Sequence, residues 1–109
     1  VRGYRVLRGD AQTLLGGLLS GPDAGEAAEG GVLLVDPPRT GLTPGVTRHI
    51  ARSAFPLVLY LSCDPRTHAR DLSDMVRSGP WKVREIQPFD MFPQTFHVEC
   101  LAVVQRESR

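Results

Sequence analysis

The sequence predicts an α/β fold with a mostly parallel sheet that finishes on an antiparallel strand, and three observations carry that reading. Two short runs, Val32-Leu33-Leu34-Val35 and Leu57-Val58-Leu59-Tyr60-Leu61, are continuously apolar, as strands covered on both faces are. Each is followed by a capping residue and a proline suited to the first turn of a helix, Thr43-Pro44 and Asp64-Pro65. Towards the C-terminus, segments 81–86 and 97–105 are both strand-like with no helical period between them, which reads as a hairpin-like pair.

Taken in order, residues 4–7 form a short mixed run that can be a strand, ended by Gly9 and Asp10. Residues 11–19 put Leu14, Leu15, Leu18 and Leu19 on one helical face, although Gly16-Gly17 weakens the segment. Residues 20–31 turn to Gly, Pro, Ala and acids and read as a connection. The strand 32–35 is stopped by Pro37-Pro38, since proline offers no donor to a ladder. A helix over 45–53 aligns Val46, Ile50 and Ala54, and the strand 57–61 follows. The next helix runs through Ala69, Leu72, Met75 and Val76 to Gly79-Pro80. Alternating strand-helix order favours a right-handed, largely parallel sheet.

With 109 residues the chain is small for a parallel α/β enzyme, whose strand and crossover-helix units take about thirty residues each, so it is expected to be part of something larger. Thirteen basic and twelve acidic residues leave a net charge of +1, which excludes the overall basic excess of many nucleic-acid binders and leaves only local patches. Cys63 and Cys100 lie in no CxxC or Cys/His spacing, which argues against a disulfide framework and a zinc site and fits a reducing compartment. No apolar run approaches the roughly eighteen residues of a membrane span. The expectation is a soluble, cytoplasmic protein with no membrane partner.

Three signals stand at strand edges. Asp36-Pro37-Pro38-Arg39 is ordinary turn chemistry by itself, but a carboxylate at a strand tip on a stiff Pro-Pro turn can also accept hydrogen bonds from an amide or imide edge. Cys63 follows the apolar run through Ser62 and precedes a helix start, whose positive end stabilises thiolate. Cys100 has no such context and is assigned to the core. Glu99 shares a strand face with His97 and Leu101, which is either a solvated edge or the wall of a flat slot in which Phe92 and Phe96 stack on a base. Ligands of open α/β sheets lie beyond the carboxyl ends of the strands, so Asp36 and Cys63 point into one crevice.

Asp36-Pro37-Pro38-Arg39-Thr40-Gly41-Leu42, Ser62-Cys63-Asp64-Pro65-Arg66-Thr67 with Arg70-Asp71-Leu72, and Asp90-Met91-Phe92-Pro93-Gln94-Thr95-Phe96-His97-Val98-Glu99 together resemble the S-adenosylmethionine-dependent RNA 5-methyluridine methyltransferases, over about residues 31–104. The resemblance implies a partial Rossmann-like class I methyltransferase sheet and an rRNA or tRNA substrate. It implies Cys63 as nucleophile, Glu99 as the base at the target carbon, and Asp36 as the carboxylate on the uracil edge, close to the cofactor. Gln94 and His97 match positions near the target pocket, with Phe92 as a stacking wall. Gly9-Asp10-Ala11 resembles the turn whose Asp contacts the cofactor adenine.

The chemistry asks for these residue types. Carbon 5 of uracil is a poor nucleophile until a thiolate adds to carbon 6, and a carboxylate on another segment must then remove the carbon 5 proton. A stacked base must also be extruded to reach such a site, at a cost of a few kcal/mol.

The family's Gly-rich cofactor turn and its acidic partner are missing, so residues 1–109 read as the C-terminal portion of a methyltransferase catalytic domain. As an isolated fragment it is expected to bind S-adenosylmethionine poorly, to be inactive and to self-associate through exposed sheet edges. A cytosine-C5 methyltransferase and a noncatalytic interaction module are the alternatives. The position of Ser62 before Cys63, with proline two residues after it, favours uridine over cytosine.

Overall fold

A computed structural model describes Thr13, residues 31–90 and residues 98–107. The expected strand at 4–7 and most of the expected helix at 11–19 lie outside the described residues. The elements are β1 (Val32–Val35), α1 (Pro44–Arg52), β2 (Leu57–Ser62), α2 (Pro65–Ser78), β3 (Trp81–Phe89) and β4 (Glu99–Arg106). They form a four-stranded sheet in the order β1-β2-β4-β3.

Both expected helix starts form as the sequence implies. Thr43 caps α1, its Oγ1 accepting from the Val46 N–H at 3.3 Å, and Asp64 caps α2 by accepting from the Arg66 N–H at 2.9 Å. Proline follows each cap, where its missing N–H costs nothing.

The sheet is mixed rather than mostly parallel. β1 and β2 pair in parallel, but β4 inserts between β2 and β3 and pairs with both in antiparallel fashion. The three other strands still share one direction; the last strand simply occupies the slot between two of them. β3 runs three residues past the expected Ile86, through a bulge between Val83 and Glu85, to Phe89. Pro88 is tolerated there because β3 is an edge strand among the described residues.

Alternation in β2 buries Val58, Tyr60 and Ser62 and leaves Leu57, Leu59 and Leu61 half-buried. Val58 and Tyr60 meet Ala102 and Val104 of β4 and the helix residues Val46, Ile50, Leu72 and Met75 in one core. Trp81 closes it, its Nε1 donating to the Ala51 carbonyl at 2.9 Å, with the Arg106 guanidinium 4.5 Å from the ring centroid.

Three expectations need correction. β1 is not covered on both faces: Leu33 and Val35 pack on the core, whereas Val32 and Leu34 are 52% and 64% exposed because their face of the sheet has no helix against it among the described residues. In α2, Ala69 and Val76 are exposed while His68 and Asp71 are buried with Leu72 and Met75. Cys100 is half-buried at the end of β4 rather than in the core, since it pairs with Ser62 at the sheet margin.

The two polar residues on the inner face of α2 are satisfied by Tyr60. The Tyr60 hydroxyl donates to Asp71 Oδ2 at 2.6 Å, and His68 Nε2 donates to the Tyr60 carbonyl at 3.2 Å with the two rings edge to face at 4.5 Å. Burial first, and then the bond to the Asp71 carboxylate, push the phenol well above its ordinary value.

Replacing Tyr60 with Phe keeps the ring and removes a donor from a buried carboxylate. It is expected to cost about 1–3 kcal/mol in urea denaturation. Burial also lowers the His68 pKa from 6.5, outweighing the Tyr60 carbonyl and Asp71. The unfolded chain therefore takes up a proton before the folded one does, and stability is lost as pH falls below 6.5 towards the lower folded value. Denaturation midpoints should drop between about pH 7.5 and about pH 5.5, and His68→Gln should narrow that drop.

Candidate functional site

Strand direction gathers the candidate residues at one margin of the sheet. β1 ends at Val35, β2 at Ser62 and β3 at Phe89, while the antiparallel β4 begins at Glu99, so all four termini share that margin. In sheet order the margin presents Asp36, Cys63, Glu99 and Phe89. Ser62 pairs with Cys100 in the last β2–β4 register position. Cys63 is one residue beyond that pair and Glu99 one residue before it, so both stand next to the last β2–β4 pair at this margin.

Ser62 fixes the turn that carries the thiol. Its buried Oγ accepts from the Asp64 N–H and donates to the Asp64 carbonyl, both at 3.0 Å, bracketing Cys63. Asp64 is then committed to capping α2, so Cys63 stands just before the N-terminus of a fourteen-residue helix, where the aligned peptide dipoles favour a negative charge. The half-buried thiol lines a cleft of about 300 Å³ together with Arg39, Asp64, Pro65 and Arg66.

Asp36 stands exposed at the tip of β1. It borders a second cavity of about 400 Å³, lined also by Val35, Pro37, Pro38, Leu42 and Val46. The turn after it is closed by the Gly41 N–H donating to the Pro38 carbonyl at 2.8 Å. Gly41 has φ +79°, a conformation that side-chain-bearing residues adopt at a cost of roughly 1–2 kcal/mol. A Cβ there would stand 2.6 Å from both Arg70 Nη2 and Asp71 Oδ2.

Those two side chains belong to a brace that sequence reasoning missed. Thr67 Oγ1 donates to the Arg39 carbonyl at 2.9 Å, Arg70 Nη2 to the carbonyls of Thr40 and Leu42 at 2.9 and 3.3 Å, and the Leu42 N–H to Asp71 Oδ2 at 2.8 Å. The signal in the sequence is Asp71 on the inner face of a helix whose neighbours at that face are Leu72 and Met75, where an acid needs a dedicated set of donors.

Of the residues expected in the site, Asp36, Cys63 and Glu99 come to the same margin, and Glu99 is half-buried there opposite Phe89. Phe89, paired with Glu99, is 42% exposed and supplies an aromatic surface at this margin. Phe92, Gln94, His97 and Asp10 lie outside the described residues.

The family described as tRNA (Uracil-5-)-methyltransferase matches residues 26–107. An uncharacterized RNA methyltransferase of Thermotoga maritima is 43% identical over 77 residues, covering 71% of this chain and 17% of that protein. One from Synechocystis is 40% identical over 99 residues, covering 91% of this chain and 20% of that protein. The crystal structure of Pyrococcus abyssi tRNA (uracil-54, C5)-methyltransferase in complex with S-adenosyl-L-homocysteine superimposes with a TM-score of 0.58 at 40% identity, over 67% of this chain and 18% of that one. The chain thus spans about a fifth or less of the length of these relatives. A match over most of its residues, together with relatives at this identity, makes the chain a member of the tRNA (uracil-5-)-methyltransferase family.

Proposed function

We infer that the protein to which these residues belong transfers a methyl group to carbon 5 of a uridine in RNA, and that Cys63, Glu99 and Asp36 carry the reaction. The observation that supports this reading most directly is the β2–β4 register, which brings a thiol before a helix N-terminus and a half-buried carboxylate to the same end of the ladder, with a second acid at the tip of the neighbouring strand β1.

The Cys63 thiolate adds to carbon 6 of the uracil ring, forming a C–S bond and leaving an enolate whose carbon 5 is nucleophilic. S-adenosylmethionine, when bound, supplies the methyl group. Asp36 accepts from the imide N–H, which fixes the ring in the plane that the thiolate must attack. Glu99 then takes the proton from carbon 5; the electron pair left behind reforms the 5,6 double bond and expels the Cys63 sulfur. Separate strands for nucleophile and base suit the two steps, because thiolate and carboxylate act on adjacent carbons of one flat ring. Among the described residues, Asp36 also has the chemistry to sit near a sulfonium, being an exposed anion at the cavity mouth. Phe89 offers an apolar surface that offsets part of the cost of unstacking the target base.

The test is a covalent trap in the full-length protein with RNA carrying 5-fluorouridine, whose carbon 5 fluorine cannot leave as a proton. A protein–RNA adduct stable to denaturing electrophoresis is expected, and Cys63→Ala should abolish it. Glu99→Gln should retain adduct formation and hold unmodified uridine RNA in the same linkage, with turnover down by about a hundredfold or more. An adduct that survives Cys63→Ala, or no adduct at all, rules the mechanism out.

A further inference from the structure

We propose that Arg70 is a positioning residue for the uracil edge: the Thr67-Arg70-Asp71 face of α2 holds the Asp36 turn in fixed relation to Cys63. The inference rests on the catalytic reading above and deepens it.

β1 and β2 pair in parallel only as far as Val35 and Tyr60, so Asp36 and Cys63 both lie beyond the end of the ladder that joins their strands. Past that end, α2 ties the two segments together. Its N-terminus is capped by Asp64, the neighbour of Cys63, and the next two turns of the same helix bind the turn that follows Asp36. Thr67 holds the Arg39 carbonyl, Arg70 holds the carbonyls of Thr40 and Leu42, and Asp71 holds the Leu42 N–H. Residues at i, i+3 and i+4 lie on one helix face, so consecutive backbone groups of one turn are bound by one rigid element. Pro37 and Pro38 stiffen the few residues between these anchors and Asp36, so that fixing the turn also restricts the carboxylate.

Arg70 and Asp71 differ in what they contribute. Asp71 is 1% exposed and also bound by Tyr60, so its loss would damage the fold. The Arg70 side chain is 51% exposed, and its guanidinium spans the buried carboxylate and two carbonyls of the turn: Nε donates to Asp71 Oδ1 at 3.1 Å while Nη2 reaches Thr40 and Leu42. A planar fork can serve all of these at once, which a lysine ammonium on a flexible stem reproduces only in part. Exposure means that the side chain is not needed to fill the core. Its bonds go to the turn and to the residue that holds the turn.

The experiment measures the rate of Cys63-dependent adduct formation on 5-fluorouridine RNA by the full-length protein, at saturating RNA, alongside the melting temperature. Arg70→Ala should slow the adduct by on the order of ten- to a hundredfold, the effect of displacing a positioning group by a fraction of an ångström to an ångström, while the melting temperature stays within about 3 °C. Arg70→Lys should recover part of the rate, and the affinity for RNA should change less than the rate does. Asp36→Asn, which keeps one acceptor oxygen, supplies the second arm of a double-mutant cycle. In that background Arg70→Ala should cost less than about threefold, because the group it positions has already been weakened.

Equal losses in both backgrounds, a wild-type rate in Arg70→Ala, or a loss that follows the melting temperature would overturn the assignment. Absence of any adduct in the wild-type protein is a different result: it removes the catalytic reading itself, and this inference with it.

Discussion

One buried carboxylate organises the part of the fold that matters for chemistry. Asp71 accepts from the Tyr60 hydroxyl in the middle of β2, from the Leu42 backbone in the turn after β1, and from Arg70 beside it on α2. A buried acid is tolerable only when its lone pairs are met by donors of good geometry, and removing a buried donor such as the Tyr60 hydroxyl leaves an acceptor that the interior cannot satisfy, whereas water can reach the place of the half-exposed Arg70. The three donors come from three elements. Satisfying the acid therefore fixes a strand, a helix and a turn relative to one another more narrowly than apolar packing alone, which tolerates sliding and exchange of shapes.

That constraint and the strand register act on different sides of the same margin. Asp71 and Arg70 settle where the turn after β1 lies relative to α2, and hence to Cys63. The pairing of Ser62 with Cys100 settles where Glu99 lies relative to the same cysteine. Cys63 is thus the common reference point. Its own turn is held by Ser62, whose hydroxyl both donates to and accepts from the Asp64 backbone. The thiol is presented by a strand end and a helix start held by hydrogen bonds within the protein, which is the preorganisation that the proposed adduct mechanism would use.

Local signals in the sequence were read well where a single residue type decides the outcome. Thr43-Pro44 and Asp64-Pro65 mark helix starts because capping geometry depends on two adjacent residues, and both helices begin there. The strand-end positions of Asp36 and Cys63 were legible for the same reason. What periodicity alone could not reveal is which face of α2 turns inward. Ala69, Leu72, Met75 and Val76 made an apolar stripe, yet the helix buries His68 and Asp71 in place of Ala69 and Val76, because Tyr60 of β2 offers a hydroxyl and a carbonyl to meet them. That preference depends on a residue eleven positions away and across the core. Sheet order was hidden in the same way: a pair of strands in succession implies antiparallel neighbours, but nothing local to residues 99–106 says that β4 also slots against β2. The strand-edge positions of Asp36, Cys63 and Glu99 were legible, and the brace that holds the turn after β1 was not.

Chain order and spatial order disagree at one place, since β3 precedes β4 along the polypeptide but lies outside it in the sheet. During synthesis, β3 emerges before β4, the strand it pairs with among the described residues, and the slot between it and β2 is filled only once residues 99–106 have left the ribosome. Long-range pairing of this kind is slow to form and leaves strand edges open while it waits. Glu99 is the first residue of the strand that closes the gap, whereas Cys63 sits on a strand and helix that are already in hand. The nascent molecule accordingly acquires its sulfur before its neighbouring acid, and β4 works as a clasp that completes the margin.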